Sequence, residues 1–215
     1  MRKVSIISIT CVLLVGVIFL AGCQTQLSPK DTVTTYFKAI KSLNIATMES
    51  LSVNGTSSDL ESLIKRSSSS MTSSDIQSGE NIYKAIFNKV DTKIEGDPTV
   101  KDNSASVKVK ITAPDAKKIL QDIMSEEISK AFANALNSSA GSQDTESEIM
   151  NEFQNKISQP DVSLTTTEMN LQLVKQKDKW KVKTTDNLID AMTGNMISYA
   201  KDLSSLASSS SSANS

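Results

Sequence analysis

The sequence predicts an α+β fold, an antiparallel sheet packed on helices with an inserted helical hairpin, and three observations carry that expectation. First, Val107, Val109 and Ile111 alternate with Lys108 and Lys110, the period-2 pattern of a half-buried antiparallel strand. Second, Thr165, Thr167, Met169, Leu171 and Leu173 fall on one face of a longer strand, while Thr166, Glu168, Asn170 and Gln172 fall on the other. A Lys177-Asp178 turn leads into a return strand with Trp180 and Val182 inward and Lys179, Lys181 and Lys183 outward, which completes a hairpin. Third, apolar residues at helical spacing precede, separate and follow these strands.

The opening helix starts at Ser28, with Pro29 at its first position and Asp31 where a capping box would place Glu. Val33, Tyr36, Phe37, Ile40 and Leu43 form its apolar stripe, and Lys38 and Lys41 face outward. A short second helix carries Ile45, Met48 and Leu51 and ends near Asn54-Gly55. Leu60, Leu63 and Ile64 suggest another helical piece, and the stretch from Ser67 to Ser78 reads as a flexible polar loop. Ile82, Tyr83, Ile86, Phe87 and Val90 form the next helical stripe, which runs into a short strand near Thr92 to Glu95. Lys101-Asp102-Asn103-Ser104 supplies a turn before the strand of Val107.

Pro114-Asp115 opens a long helix over 116–136, with Ile119, Leu120, Ile123, Ile128, Ala131, Phe132, Ala135 and Leu136 on its apolar side. After a polar loop over 137–144, a second helix carries Ile149, Phe153 and Ile157, so residues 115–158 form a helical hairpin inserted between strands. Leu188, Ile189, Met192, Met196 and Tyr199 indicate a terminal helix. The serine-rich run over 204–215 lacks the apolar content to pack and is expected to be a disordered tail. The domain proper is thus residues 28–203.

At the amino terminus, Arg2 and Lys3 precede an apolar run from Val4 to Phe19, the order of a signal sequence. Leu20-Ala21-Gly22-Cys23 resembles the lipobox of bacterial lipoproteins, in which small residues precede an obligate cysteine. The resemblance implies diacylglycerol on the Cys23 sulfur, removal of residues 1–22, and a tether over 23–27. Two acyl chains hold a protein stably on a membrane without a spanning helix. The competing reading is an uncleaved anchor, because about 18 largely apolar residues just reach across a bilayer.

The helix pair at the start and the closing hairpin strand Lys179-Trp180-Lys181-Val182 resemble small exported domains with the nuclear-transport-factor-2-like cone, many of them of unknown function. That resemblance covers Ser28 to Val53 and, more closely, Val90 to Asp190, and it implies a curved, cone-like sheet wrapped over helices. The hairpin over 115–158 is a large insertion for such a fold. Enzymatic members place Asp or His, often with Tyr, inside the cone; no such set is matched here, and no catalytic residue is carried over.

Composition narrows function further. Cleavage before Cys23 leaves 193 of 215 residues, and 23 basic residues less the two of the leader, set against 24 acidic ones, give a net charge of −3. Weak acidity with scattered lysines argues against nucleic acid as a partner and against polybasic membrane binding. The chain has no His, and its two cysteines are Cys11, inside the leader, and Cys23, so the domain holds no disulfide, no thiolate site and no imidazole ligand. Neither cofactor nor metal is expected.

Asp122, Glu126 and Glu127 on the long helix and Asp144, Glu146 and Glu148 at the next suggest a carboxylate cluster, but the alternating ligands of a calcium loop are missing, and solvated helix faces explain them. A serine nucleophile would need a base that only Lys supplies, so the chain is expected not to be an enzyme. The residues singled out for a ligand or partner surface are Tyr36, Phe132, Trp180, Met192 and Met196. Core packing is the competing role for Trp180 and for the Met192–Met196 pair. The expected function is a membrane-anchored, non-catalytic binding domain for a small ligand or envelope component. An accessory protein–protein interaction role, with Ala131, Phe132, Leu136 and Phe153 as an exposed stripe, is the alternative, and an unusual hydrolase stands third.

Overall fold

A computed structural model describes residues 26–53, 73–136 and 145–212. The residues read as a signal sequence, Cys23, the segment 60–64 read as helical and the stretch 137–144 read as a loop lie outside the described residues.

Helix α1, Pro29–Lys41, begins as its sequence requires. The Ser28 hydroxyl accepts from the Asp31 amide at 3.1 Å and donates to the Asp31 carboxylate at 2.6 Å, so Asp31 serves where Glu is usual. Lys38 and Lys41 lie in the last turn, where the helix dipole favours cations. Val33, Tyr36, Phe37 and Ile40 are buried. Helix α2, Ile45–Leu51, follows, capped by Asn44 and burying Met48.

Helix α3, Ser73–Lys89, starts inside the segment read as a loop. The apolar stripe of Ile82, Ile86 and Phe87 packs in the core, and the turns before it contain too few apolar residues to show a period. Strands β1 (Asp91–Ile94), β2 (Thr99–Lys101) and β3 (Ser104–Pro114) come next. Both β1 and β2 pair antiparallel with β3, β1 along Val109 to Thr112 and β2 along Ser104 to Ser106. The three residues of β2 are all exposed, so alternation gave no sign of it.

After the insertion come β4 (Leu164–Gln176) and β5 (Lys179–Val182), giving the order β1-β3-β4-β5 in a curled antiparallel half-barrel packed on helices. The β3–β4 register opposes Ala105 to Leu173, Val107 to Leu171, Val109 to Met169 and Ile111 to Thr167, which places the predicted inward faces side by side. The concave face is filled by α1 and by α6 (Asp186–Met192), whose Leu188, Ile189 and Met192 join one core with Tyr36, Ile40, Val107 and Ile111. On the outer face Lys108 reaches Glu95 and Glu168, each at 3.0 Å.

The insertion consists of α4 (Ala116–Leu136) and α5 (Thr145–Ser158). Ile119 and Ile123 of α4 are buried against Phe153 and Ile157 of α5, but Ile128, Phe132 and Leu136 are exposed. The apolar side of α4 is therefore not one buried face: a 21-residue helix is about 31 Å long and outruns the body it packs on. Phe153, expected in an exposed stripe, is 2% exposed and belongs to the core.

The single terminal helix expected from Leu188 to Tyr199 is two helices, α6 and α7 (Met196–Ser212). Gly194 and Asn195, both at φ 63°, break them apart. A Cβ on Gly194 would stand 1.8 Å from the Pro114 carbonyl oxygen, so glycine is required where α6 meets the end of β3. Helix α7 continues through the serine run to Ser212, where the sequence predicted a disordered tail. Once a helix is nucleated each added residue gains a hydrogen bond, so low apolar content need not stop it.

Candidate functional site

The residues singled out from sequence do not converge. Tyr36 is 0% and Met192 1% exposed, so both are core residues and neither offers a ligand or partner surface. Each sits on the inward stripe of a helix under the sheet, where an aromatic ring or a thioether fills volume. Met196 is half-buried at the start of α7 and packs on the same core. Phe132 stands exposed on the insertion.

The Tyr36 hydroxyl is the buried polar end of α1. It lies 2.9 Å from Thr184 Oγ1, which lies 3.3 Å from Ser52 Oγ, and Ser52 donates to the Met48 carbonyl at 2.8 Å. Ser52 thus uses its one proton on Met48, Thr184 donates to Ser52, and the Tyr36 hydroxyl donates to Thr184. Burial pushes the Tyr36 pKa up, against the opposing effect of its hydroxyl partners. A satisfied hydroxyl chain that ties α1, α2 and the segment after β5 together is structural.

Trp180 borders a cavity. A cleft of about 530 Å³ opens at the end of the sheet that carries the β4–β5 turn. Gln26 and Leu27 of the amino-terminal segment form one wall, and Ser50 and Leu51 at the end of α2 form another. Lys177, Asp178, Lys179 and Trp180 complete it. Trp180 is 9% exposed, held between the core and the cleft. Its placement follows from register: β5 pairs Leu173 with Val182 and Lys175 with Trp180, so Trp180 shares the inward face with Val182, one pair short of the turn end of the ladder.

The turn that flanks the cleft has two central residues, Lys177 at φ 47° and Asp178 at φ 63°. Left-handed backbone at both positions is the type I′ geometry that matches strand twist in a two-residue hairpin. The Lys181 ammonium donates to the Ser50 carbonyl and closes the hairpin onto α2. Val53 N–H donates to the Val182 carbonyl at 3.0 Å, which extends the sheet edge by a parallel bridge at Ser52. Chemically the cleft sets an apolar wall from Leu27, Leu51 and Trp180 beside two exposed ammonium groups and the Asp178 carboxylate. Sequence singled out Trp180 but missed Leu27, Ser50 and Leu51, because they lie more than a hundred positions from Trp180 and only the fold joins them.

The three carboxylates Asp122, Glu126 and Glu127 of α4 are paired. Glu126 accepts from Lys156 at 3.1 Å across α4 and α5, Lys130 binds Glu127 at 2.7 Å, and Lys118 binds Asp122 at 2.8 Å. The Lys156 hydrogen bond is the main cause holding the Glu126 pKa below the ordinary carboxylate value. Asp144 and the side chain of Glu146 fall outside the described residues. Among the described residues no group of three His, Cys, Asp or Glu is placed to hold a metal ion. Among them, too, no helix is long and apolar enough to cross a membrane.

No protein-family profile matches the sequence, and no curated protein matches it. Among solved structures the chain is similar to the candidate lipoprotein YcdA of Bacillus subtilis subsp. subtilis str. 168, at 16% sequence identity and a TM-score of 0.40. The match covers 77% of this chain and 58% of that one, so the chain spans less than two thirds of that protein's length.

Proposed function

We propose that the chain is an exported lipoprotein, held on the extracytoplasmic side of the cell membrane through lipid on Cys23, whose domain binds a small ligand or envelope component without chemistry of its own. The observation that carries the reading is the cleft at Trp180: it is walled by Gln26 and Leu27, residues that follow Cys23 within a few positions, so a binding site sits beside the attachment point. Its volume of about 530 Å³ lies within the range of small-molecule sites. A mature sequence with no His, and with no Cys beyond Cys23, favours binding over catalysis. The cone of the nuclear-transport-factor-2-like domains is the family reading that suits a curled sheet over α1. In this chain the space between the curled sheet and α1 is packed with side chains, and the cleft opens at one end of the sheet. Growth of an expressing bacterium with labelled palmitate tests the anchor: label enters the wild-type chain and is absent from Cys23→Ser, whereas an unlabelled wild-type chain contradicts the reading.

A second reading, an accessory role in protein–protein interaction, is favoured by one observation. Ile128, Phe132 and Leu136, spaced four apart along α4, are 66%, 69% and 70% exposed, and together they form an apolar line on the insertion.

A further inference from the structure

Charge is unevenly placed in this fold. Between Lys175 and Lys183 the β4–β5 hairpin carries five lysines against one acid, Asp178. The stretch 175–183 has a net charge of +4, while the whole mature chain, cut before Cys23, has −3, so everything else carries −7. Lys177, Lys179 and Lys183 are exposed. Asp178 is 90% exposed and reaches Lys175 only at 4.0 Å, so it neutralises little of the patch.

The patch has a fixed relation to the anchor. Three peptide steps separate Cys23 from Gln26, a span of at most about 11 Å. Gln26 lines the cleft with Lys177, Lys179 and Trp180. The headgroup layer on each side of the hydrocarbon is about 5–7 Å deep. An acylated Cys23 therefore keeps Gln26 and this end of the sheet within about 11 Å of the anchored residue, within reach of the headgroups. The insertion leaves the sheet at the other end, after Pro114 and before Leu164, about 35 Å away along β3.

We propose that the β4–β5 hairpin and the Trp180 cleft form the membrane-facing surface of the domain, and that the occupant of the cleft is the phosphate-bearing headgroup of an anionic phospholipid in the membrane that holds the anchor. The inference rests on the lipid-anchor reading above and names the ligand class of that same cleft. Lys177 and Lys179 meet the phosphate, and Leu27, Leu51 and Trp180 meet the glycerol and upper acyl carbons. Tryptophan at headgroup level suits its apolar ring and polar N–H. Each lysine near an anionic surface favours association by about fivefold. The domain consequently lies with its hairpin on the bilayer rather than tumbling on its tether.

Trp180 is the single tryptophan of the chain, so its fluorescence reports this site alone. The lipidated full chain is reconstituted into phosphatidylcholine vesicles with and without phosphatidylglycerol, each carrying a lipid with a nitroxide quencher at the headgroup. The expected result is quenching of Trp180 at least about twofold stronger in the anionic vesicles. In about 1 M salt, where the screening length falls to about 3 Å, the difference disappears. The triple variant Lys177→Gln, Lys179→Gln, Lys183→Gln changes exposed residues only; it stays vesicle-bound and loses the anionic preference. An anchored chain whose Trp180 is unquenched, or is quenched equally in both vesicles, overturns the headgroup site and leaves the anchor standing. A chain without diacylglycerol on Cys23 that does not float with vesicles overturns the anchor, and this proposal with it.

Discussion

Gly194 shows how one residue joins the two ends of the fold. Its φ of 63° and the 1.8 Å approach that a Cβ would make to the Pro114 carbonyl leave no space for a side chain, and its own carbonyl accepts from the Lys117 amide at 3.1 Å. Left-handed strain together with overpacking against rigid backbone costs about 2–4 kcal/mol. Gly194→Ala is therefore expected to lower Tm by roughly 5–15 °C in calorimetry, given about 2–4 °C per kcal/mol for a domain of this size. Gly96, at φ 71° with nothing near its missing Cβ, bears only the conformational part of that cost. Single residues were legible in the sequence where pattern fixed them: Ser28 and Pro29 as a helix start, and Trp180 and Val182 as an inward pair. Tyr36 and Met192 were legible as apolar, yet their burial depends on which helix fills the curl of the sheet, and no local pattern encodes that.

Among the elements, the β4–β5 hairpin is the one that sequence read most completely, since alternation continued through a two-residue turn. That turn holds Lys177 and Asp178 in left-handed backbone, which Asn and Gly adopt more readily. Lys177→Asn with Asp178→Gly is expected to raise Tm by about 2–4 °C, for about 1 kcal/mol of relieved strain. On the outer face, hydrogen bonding and charge from Lys108 hold the Glu168 pKa below its ordinary value, and Glu168 and Glu95 hold that of Lys108 above its own. A depressed carboxylate contributes stability that is present above its unfolded pKa and lost as pH falls through the folded one. A raised lysine contributes below its unfolded pKa of 10.5 and loses that as pH rises through the folded one. Lys108→Gln should thus lower Tm slightly at neutral pH and have no effect once pH is below the carboxylate range, as thermal melts at the two pH values would show.

Helix α4 was read with correct bounds but with too wide a buried side, because helical periodicity states which residues share a face and not how far a partner extends along it. Its outer half bears on the interaction reading. Phe132→Ser with Leu136→Ser alters exposed positions, so stability is expected to stay within about 0.5 kcal/mol. If α4 docks another envelope protein, a photo-crosslink from position 132 in growing cells is lost when Leu136 becomes Ser; a chain that forms no crosslink from position 132 contradicts that role.

At the scale of the molecule, the arrangement has a direction. Gln26 and Leu27, the lysine-rich hairpin and the cleft share one end of the sheet, and the chain leaves for its insertion at the other. The α+β class and the inserted hairpin were readable because strands and helices leave periods of different length. The rim cleft was not, because it is assembled from the start, the second helix and the last strand of the chain. The serine-rich parts of α3 and α7 were missed for a different reason: serine carries no period, and a helix can run through it from an apolar nucleus. The central claim is that this directed body hangs from lipid at Cys23, and the mass of the mature amino-terminal peptide, isolated from membranes of an expressing bacterium, tests it most directly. The account predicts a peptide that begins at Cys23 and carries the added mass of a diacylglycerol. A peptide that retains residues 1–22 with an unmodified Cys23 thiol would contradict it.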